Sequence, residues 1–292
     1  MLRTIDEYLA QLKIELKGSD RALIQDALAD SEEFLYMSLE KDKTEHTKME
    51  ALNSIIAKYG TPSEVAGGYQ ELEAWLQPGH EAARPSESKS FRTWIFGVFA
   101  EPRAWGAFLY LIFTVLTGLV YTAWIIIGGL FSLVSLLFII GIPVAALFIL
   151  SFRGLALIEG RIAEALLGER MPRKPLFVQQ ELRWTEKLKA LFSDSQTWKT
   201  FVYMLLLFPL GLVYFLLFGG LFVLSLSFIS SPIMELVFHV PLELVGTEAF
   251  TPVWLLPLVC VTGFFLLPLT LHLAKFVGRL HGRYAKTMLV RK

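Results

Sequence analysis

The 292-residue chain has one cysteine, five dispersed histidines and, over one long stretch, no charge at all. A single cysteine excludes an internal disulfide, and the apolar run around Cys260 marks it as a small core filler rather than a reactive thiol. The start, Met1-Leu2-Arg3-Thr4-Ile5-Asp6-Glu7, lacks the apolar core of a cleavable signal peptide, so membrane insertion is expected to be directed by internal segments. There is no phosphate-binding Gly-Lys-Ser/Thr loop, nucleophile elbow, His-Glu-x-x-His or paired-cysteine spacing. These absences argue against the motif-bearing enzyme classes. No catalytic residue, cofactor, metal or nucleic acid is expected. The histidines lie at positions 46, 80, 239, 272 and 281. His272 and His281 could share one cytoplasmic face, where they read as interfacial polar residues rather than metal ligands.

The most consequential absence runs from Ala104 to Phe152, 49 residues without Asp, Glu, Lys, Arg or His. As one straight helix it would extend roughly 70 Å, more than twice a bilayer core of about 30 Å. It must fold back on itself. The expected break is Gly128-Gly129, with Ser132 and Ser135 just beyond, and four spans follow at about 105–127, 131–152, 199–227 and 253–275. These predicted spans hold no carboxylate, lysine or arginine well inside them, which argues against an ion-coupled pump. Prolines 143, 209, 257 and 268 read as residues tolerated in ordinary spans.

A net charge of zero conceals a split: residues 1–80 hold 15 acidic and 8 basic side chains, and the remainder is correspondingly basic. An acidic water-facing domain joined to a basic-flanked membrane domain fits this pattern. Residues 1–77 read as four short helices. Ile5, Leu9, Leu12 and Leu16 recur at helical spacing before Gly18. Ile24, Leu28, Leu35 and Leu39 mark a second helix beginning near Ser19-Asp20, and Met49, Leu52, Ile56 and Tyr59 a third that ends at Gly60. Thr61-Pro62-Ser63-Glu64 forms a capping box before Val65, Tyr69, Leu72 and Leu76. A core this small gains from docking on the membrane part or on another subunit. Tyr8-Leu9-Ala10-Gln11-Leu12, the acidic run Asp26 to Glu33 and Tyr59-Gly60-Thr61-Pro62-Ser63-Glu64-Val65-Ala66 resemble the small HAAS-type helical domains found beside bacterial membrane and regulatory modules. The resemblance implies protein interaction or signalling, not catalysis.

Residues 78–90 are a polar linker, and Phe91, Trp94, Ile95, Phe96, Val98 and Phe99 form an aromatic lead-in expected at the headgroup level. The remainder, 91–292, reads as a duplicated hairpin with repeats at about 91–169 and 184–291. A shift of 93 residues superposes Phe99, Glu101, Trp105, Phe108 and Tyr110 on Phe192, Asp194, Trp198, Phe201 and Tyr203, and Gly118 to Tyr121 on Gly211 to Tyr214. A shift of 122 matches Arg153, Gly160, Arg161, Ala163 and Leu167 with Lys275, Gly282, Arg283, Ala285 and Leu289. The difference of 29 residues is an insertion between the spans of the second copy, with its outer part at about 230–252. Basic residues crowd Arg153 to Lys199 and Lys275 to Lys292, so both termini are expected to be cytoplasmic and the insertion outward. The two hairpins then form a parallel repeat.

Glu101 and Asp194 precede Trp105 and Trp198 by four residues and are expected to cap free amides at the start of a span, with the tryptophans as interface anchors; lipid or partner contact is the alternative. Beyond the second span, Leu155, Ile158, Ile162 and Leu166 oppose Arg153, Arg161, Glu164 and Glu169. Lys275, Arg279, Arg283 and Lys286 follow the fourth. Their cations are expected to meet anionic lipid, or to serve as signal-transmitting levers. Glu235, His239 and Glu243 lie in the apolar insertion, which reads as a packed cap or as an outer ligand-sensing element.

The duplicated lead-in, Phe208-Pro209-Leu210-Gly211-Leu212-Val213-Tyr214, Gly141-Ile142-Pro143 and Arg153-Gly154-Leu155-Ala156 resemble the bacterial Putative sensor membrane domain over roughly residues 95–290. Such domains occur alone or ahead of histidine-kinase modules. No kinase region follows Lys292, so phosphotransfer in cis is not expected. The sequence thus points to an all-α polytopic protein of the bacterial inner membrane with an N-terminal cytoplasmic helical domain. Its expected role is that of a non-enzymatic sensor or regulator, in contact with the lipid bilayer and with a protein partner of the N-terminal domain. A homo-oligomer is a further possibility. The alternative is a lipid or small-molecule transport component.

Overall fold

The computed structural model describes residues 4–41, 48–76, 95–138, 141–173, 192–240, 242–244, 247–249 and 252–290. The first four helices follow their local signals. Helix α1 (Ile5–Glu15) begins at Thr4, whose hydroxyl accepts the Glu7 amide at 3.1 Å. Helix α2 (Arg21–Lys41) begins after Asp20, whose carboxylate accepts the Ala22 amide at 2.8 Å. Helix α3 (Lys48–Tyr59) stops at Gly60, which sits at φ +115°. The Gly60 carbonyl accepts the Tyr8 hydroxyl at 2.9 Å, so this turn is fastened to α1.

The capping box that opens α4 (Pro62–Leu76) is formed in full. The Thr61 amide donates to Glu64 Oε2 at 2.8 Å, and the Glu64 amide donates to Thr61 Oγ1 at 3.4 Å. The Thr61 amide and then its hydroxyl hold the Glu64 carboxyl below its usual range. A depressed folded value means the cap contributes above the ordinary glutamate range and is lost as pH falls through the folded value. Glu64→Ala is therefore expected to speed hydrogen exchange in the first turn of α4 at neutral pH, with the difference from the parent shrinking in acid. Tyr8, Leu12, Leu16, Leu23 and Leu35 make the core beneath these helices. Leu72, expected on the inner face of α4, is exposed instead.

After a 3-10 turn at Gly97–Ala100, four apolar rods form the main body. They are α5 (Pro102–Ser135), α6 (Gly141–Leu167), α7 (Ser195–Tyr214) continued by α8 (Gly220–Leu236), and α9 (Leu256–Leu289). A π-helical turn at Phe215–Gly219 joins α7 to α8 without ending the rod. Mean hydropathy of the best window in each rod lies between 1.9 and 2.4. Large apolar side chains point outward, Ile127, Leu133, Phe138 and Leu258 among them, and Leu137 is 84% exposed. Such a surface would drive aggregation in water, whereas in lipid it is the surface required. The chain is an all-α protein, with four candidate membrane-spanning helices among the described residues. Two three-residue strands, β1 (Leu242–Leu244) and β2 (Thr247–Ala249), pair antiparallel between α8 and α9.

The helix boundaries differ from expectation in two places. Helix α5 runs straight through Gly128-Gly129 to Ser135. A Cβ on Gly128 would lie 2.7 Å from the Phe148 ring, so this glycine admits a neighbouring aromatic rather than making a turn. The reversal comes at Leu136 to Phe138, before Gly141, where any Cβ would meet the backbone of Ser135 and Leu136. The third rod continues to Leu236, past its expected end near 227, so the insertion begins as helix. Pro209 and Pro268 lie inside helices that continue through them. The lead-in packs on the bundle as well: the Phe96 ring lies tilted against those of Phe264 and Phe265, with centroids 5.3 and 6.3 Å away, and Val98 is buried.

Candidate functional site

Helices α5 and α7 approach until backbone meets backbone. A Cβ on Gly118 would stand 2.6 Å from the Phe208 amide nitrogen, and one on Gly211 2.6 Å from the Thr114 carbonyl carbon. The contact is reciprocal: Gly118 and Gly211 are 93 residues apart, as are Val115 and Phe208. Small residues continue the close packing on the other rods. Gly278 sits against Ala107 and Leu167, and Ala163 and Ala285 are wholly buried.

Beside this crossing lies a polar cluster sealed from solvent. Glu159 of α6 is 0% exposed and His281 of α9 is 2% exposed. Tyr110 donates to Glu159 Oε1 at 2.6 Å, and Tyr121 donates to Oε2 at 3.1 Å, so both carboxylate oxygens are engaged. His281 Nε2 lies 3.0 Å from the Tyr110 hydroxyl and 3.4 Å from that of Tyr203, while its Nδ1 lies 3.2 Å from the Tyr214 hydroxyl. A hydroxyl has one proton. Since Tyr110 gives its proton to Glu159, the bond to His281 is satisfied when Nε2–H donates to the Tyr110 oxygen. In the neutral ring Nδ1 then accepts from Tyr214. Every member of the chain Tyr121–Glu159–Tyr110–His281–Tyr214 has a matched partner, and α5, α6, α7 and α9 all contribute.

This cluster was not expected from the sequence. The second apolar rod does carry a carboxylate, and His281 is enclosed rather than lying on an interfacial face. The inward side of α6 is Ala156, Glu159, Gly160, Ala163 and Leu167, whereas Ile158 of the expected apolar stripe is exposed. A signal was nonetheless present. The shift of 122 that aligns Gly160 with Gly282 also sets Glu159 against His281, and the shift of 93 sets Tyr110 and Tyr121 against Tyr203 and Tyr214. Residue identity was the wrong filter, because a carboxylate and an imidazole occupy corresponding places.

The other candidate residues fall into two groups. Arg153 donates to Asp194 at 2.7 Å and Lys275 to Glu101 at 2.5 Å, so four of them form two ion pairs. The pairs are reciprocal under the same two shifts. Asp194 also caps α7 by accepting the Gln196 amide at 3.1 Å. Glu101 makes no cap, in contrast to expectation; its longer side chain goes to Lys275, and Pro102 begins the helix without an amide to satisfy. Trp105 Nε1 donates to the Phe99 carbonyl at 3.0 Å, and Trp198 Nε1 to the Phe192 carbonyl at 2.9 Å, which clips each lead-in turn to its helix. Arg161 pairs with Glu164, and Arg283 is exposed. Glu235 is buried at the end of α8, His239 is exposed at φ +53°, and the Glu243 side chain lies outside the described residues. The structure does not bring these three to one described site.

The four-helix N-terminal unit is tied to the rods at two ends. Arg170, just beyond α6, pairs with Glu73 at 2.8 Å, and the Arg173 amide donates to Asp26 at 2.5 Å. Lys286 on α9 pairs with Asp20 at 2.5 Å. A cavity of about 470 Å³ opens between Asp26, Asp30, Tyr69, Glu73, Arg170 and Arg173, and one of about 60 Å³ beside Gln25, Arg153 and Gln196. A third, about 200 Å³ and apolar, lies between Phe148, Phe152, Trp198 and Phe201. Each partly exposed ion pair contributes little alone, about 1 kcal/mol or less. The double variant Lys286→Ala with Arg170→Ala is therefore expected to raise hydrogen exchange at the start of α2 and at residues 170–173 several-fold, with α5 to α9 unchanged.

Fold and site together define a polytopic helical membrane protein whose rods converge on a buried polar junction. The family model described as Putative sensor matches residues 110–289, more than half of the chain, and the chain belongs to that family. No curated protein and no solved structure matches it.

Proposed function

We propose that this chain is a non-enzymatic sensor or regulatory protein of the bacterial inner membrane that passes a membrane or external signal to a protein partner through its N-terminal helical domain. The observation that carries the reading is the double tether: Arg170 and Arg173 follow the first helical hairpin, Lys286 belongs to the second, and all three hold the same small domain. Any relative shift of the hairpins alters that seat. Membership of the sensor family supports the same reading. The domain is taken as HAAS-like, and both termini as cytoplasmic by the distribution of Lys and Arg. We also infer an internal duplication, which the reciprocal Gly118–Gly211 crossing and the two reciprocal ion pairs support.

Affinity recovery from native membranes tests this directly. The full chain is expected to retain a partner that a chain lacking residues 1–77 loses; equal recovery by both would sink the proposal. A lipid or small-molecule transport component is the second reading, favoured by the ionisable pair inside the bundle. Flux through vesicles containing this chain alone would establish it in place of the first.

A further inference from the structure

We propose that Glu159 and His281 form a single proton-binding site shared between the two hairpins, and that the proton is the ligand that switches the bundle. The binding half of this inference stands on the cluster alone; the switching half rests on the sensor reading above.

The first argument is space. Glu159 and Tyr203 have no exposed surface, Tyr110 and His281 almost none, and none of the three cavities described above has Glu159 or His281 in its wall. A site so closed, with an acidic and a basic side chain on one hydroxyl, has room for a proton and for nothing larger. The second is connectivity. Tyr214 and Tyr284, both only half-buried, flank His281 at ring separations of 5.6 and 6.0 Å and lead from the surface to the imidazole.

The step balances along the observed bonds. The Tyr214 hydroxyl proton passes to Nδ1 of His281 as a proton from water takes its place on the Tyr214 oxygen, and an imidazolium results. Nε2 then releases its proton to the Tyr110 oxygen as the Tyr110 hydroxyl proton passes to Glu159 Oε1. One proton has been added, the carboxylate has become a neutral acid, and the imidazole is neutral again with its proton on Nδ1. Each hydrogen bond from Glu159 to Tyr214 has reversed direction between the same heavy atoms, so uptake requires no opening of the core. The change is felt in both hairpins because Glu159 belongs to one and His281 to the other.

The groups facing Glu159 and His281 from the packed elements are Tyr110 and Tyr121 of α5, Tyr203 and Tyr214 of α7, and Tyr284 of α9. The nearest charged residues along α6 and α9, Arg161, Arg279 and Arg283, are exposed and point away from the junction's buried side, and Glu101, Arg153, Asp194 and Lys275 are engaged with one another in the two ion pairs. Titration of the junction is thus set by the pair and its tyrosines.

The test is infrared difference spectroscopy of the full chain in lipid nanodiscs across about pH 4 to 9, the range spanning ordinary Glu and His values. A protonated-carboxyl band that grows as pH falls, is absent in Glu159→Gln, and moves its midpoint at least about tenfold in proton concentration in His281→Gln supports the site. Tyr121→Phe, which removes one donor and no charge, is expected to move the same midpoint. A band that does not change over the range, or that titrates equally in Glu159→Gln, overturns the proposal. Should the band titrate while exchange in the N-terminal domain ignores pH, the proton site stands and the switching role fails. Should that domain respond to Glu159→Gln without any titrating band, the sensor reading survives and the proton does not.

Discussion

Valine at Gly118 is expected to separate α5 from α7 and to lower the thermal unfolding temperature more than any surface substitution in the bundle. The atoms in the way belong to the backbone: a Cβ would lie 2.6 to 2.7 Å from the Leu207 and Phe208 main chain. No rotamer relieves such a clash, so the helices must move apart and give up the packing around Thr114, Leu207 and Gly211. Overpacking of this kind costs about 3 kcal/mol or more when nothing flexible can yield. Gly211→Val should behave alike, since its Cβ would meet Thr114 and Val115 at the same distances. Gly154→Ala is the control, because nothing lies within 4 Å of a Cβ there and the helix gains up to about 1 kcal/mol in intrinsic propensity. Equal unfolding temperatures for Gly118→Val and Gly154→Ala, read by circular dichroism in detergent, would remove the crossing from the account.

Alanine at Glu159 should be the most disruptive change among the polar residues. It leaves the Tyr110 and Tyr121 hydroxyls inside the bundle without their acceptor, at roughly 1–3 kcal/mol for each. Glu159→Gln keeps the volume and one acceptor, and is expected to cost less than half as much. Tyr121→Phe removes a single donor and should cost about 1 kcal/mol. The informative quantity is the coupling: once Glu159 is alanine, Tyr121→Phe removes an unsatisfied hydroxyl and should be neutral or stabilising. Additive costs in the double variant would show that the bond contributes nothing.

Much of this molecule was legible because local chemistry decided it. Thr61, Pro62 and Glu64 announce a helix start by the bonds they make, and Gly18 and Gly60 announce stops by the positive φ they adopt. The uncharged run announces lipid contact because nothing in it needs water. Misreadings arose where one residue type serves two purposes. Gly128 can bend a chain or admit a ring, and only Phe148 decides which. Glu101 and Asp194 precede equivalent tryptophans, yet one methylene sends Glu101 to Lys275 while Asp194 still reaches its own helix. Glu159 is inconspicuous in the sequence because it follows the uncharged run by seven residues and has the charged Arg161 and Glu164 just beyond it. Its burial follows from its place on the inward side of α6, where Tyr110 and Tyr121 of α5 cover both carboxylate oxygens. That is a tertiary fact, and it shows in the sequence only when the two hairpins are laid side by side.

The central claim is that the buried junction and the N-terminal domain are coupled through the hairpin ends. Hydrogen exchange of the full chain in nanodiscs, compared between the parent and Glu159→Gln, tests it most directly. The account predicts faster exchange at residues 170–173 and at the start of α2 in the variant, with the interiors of α1 and α3 unchanged. Exchange at those two places indistinguishable from the parent, in a variant whose rods remain protected, would contradict it.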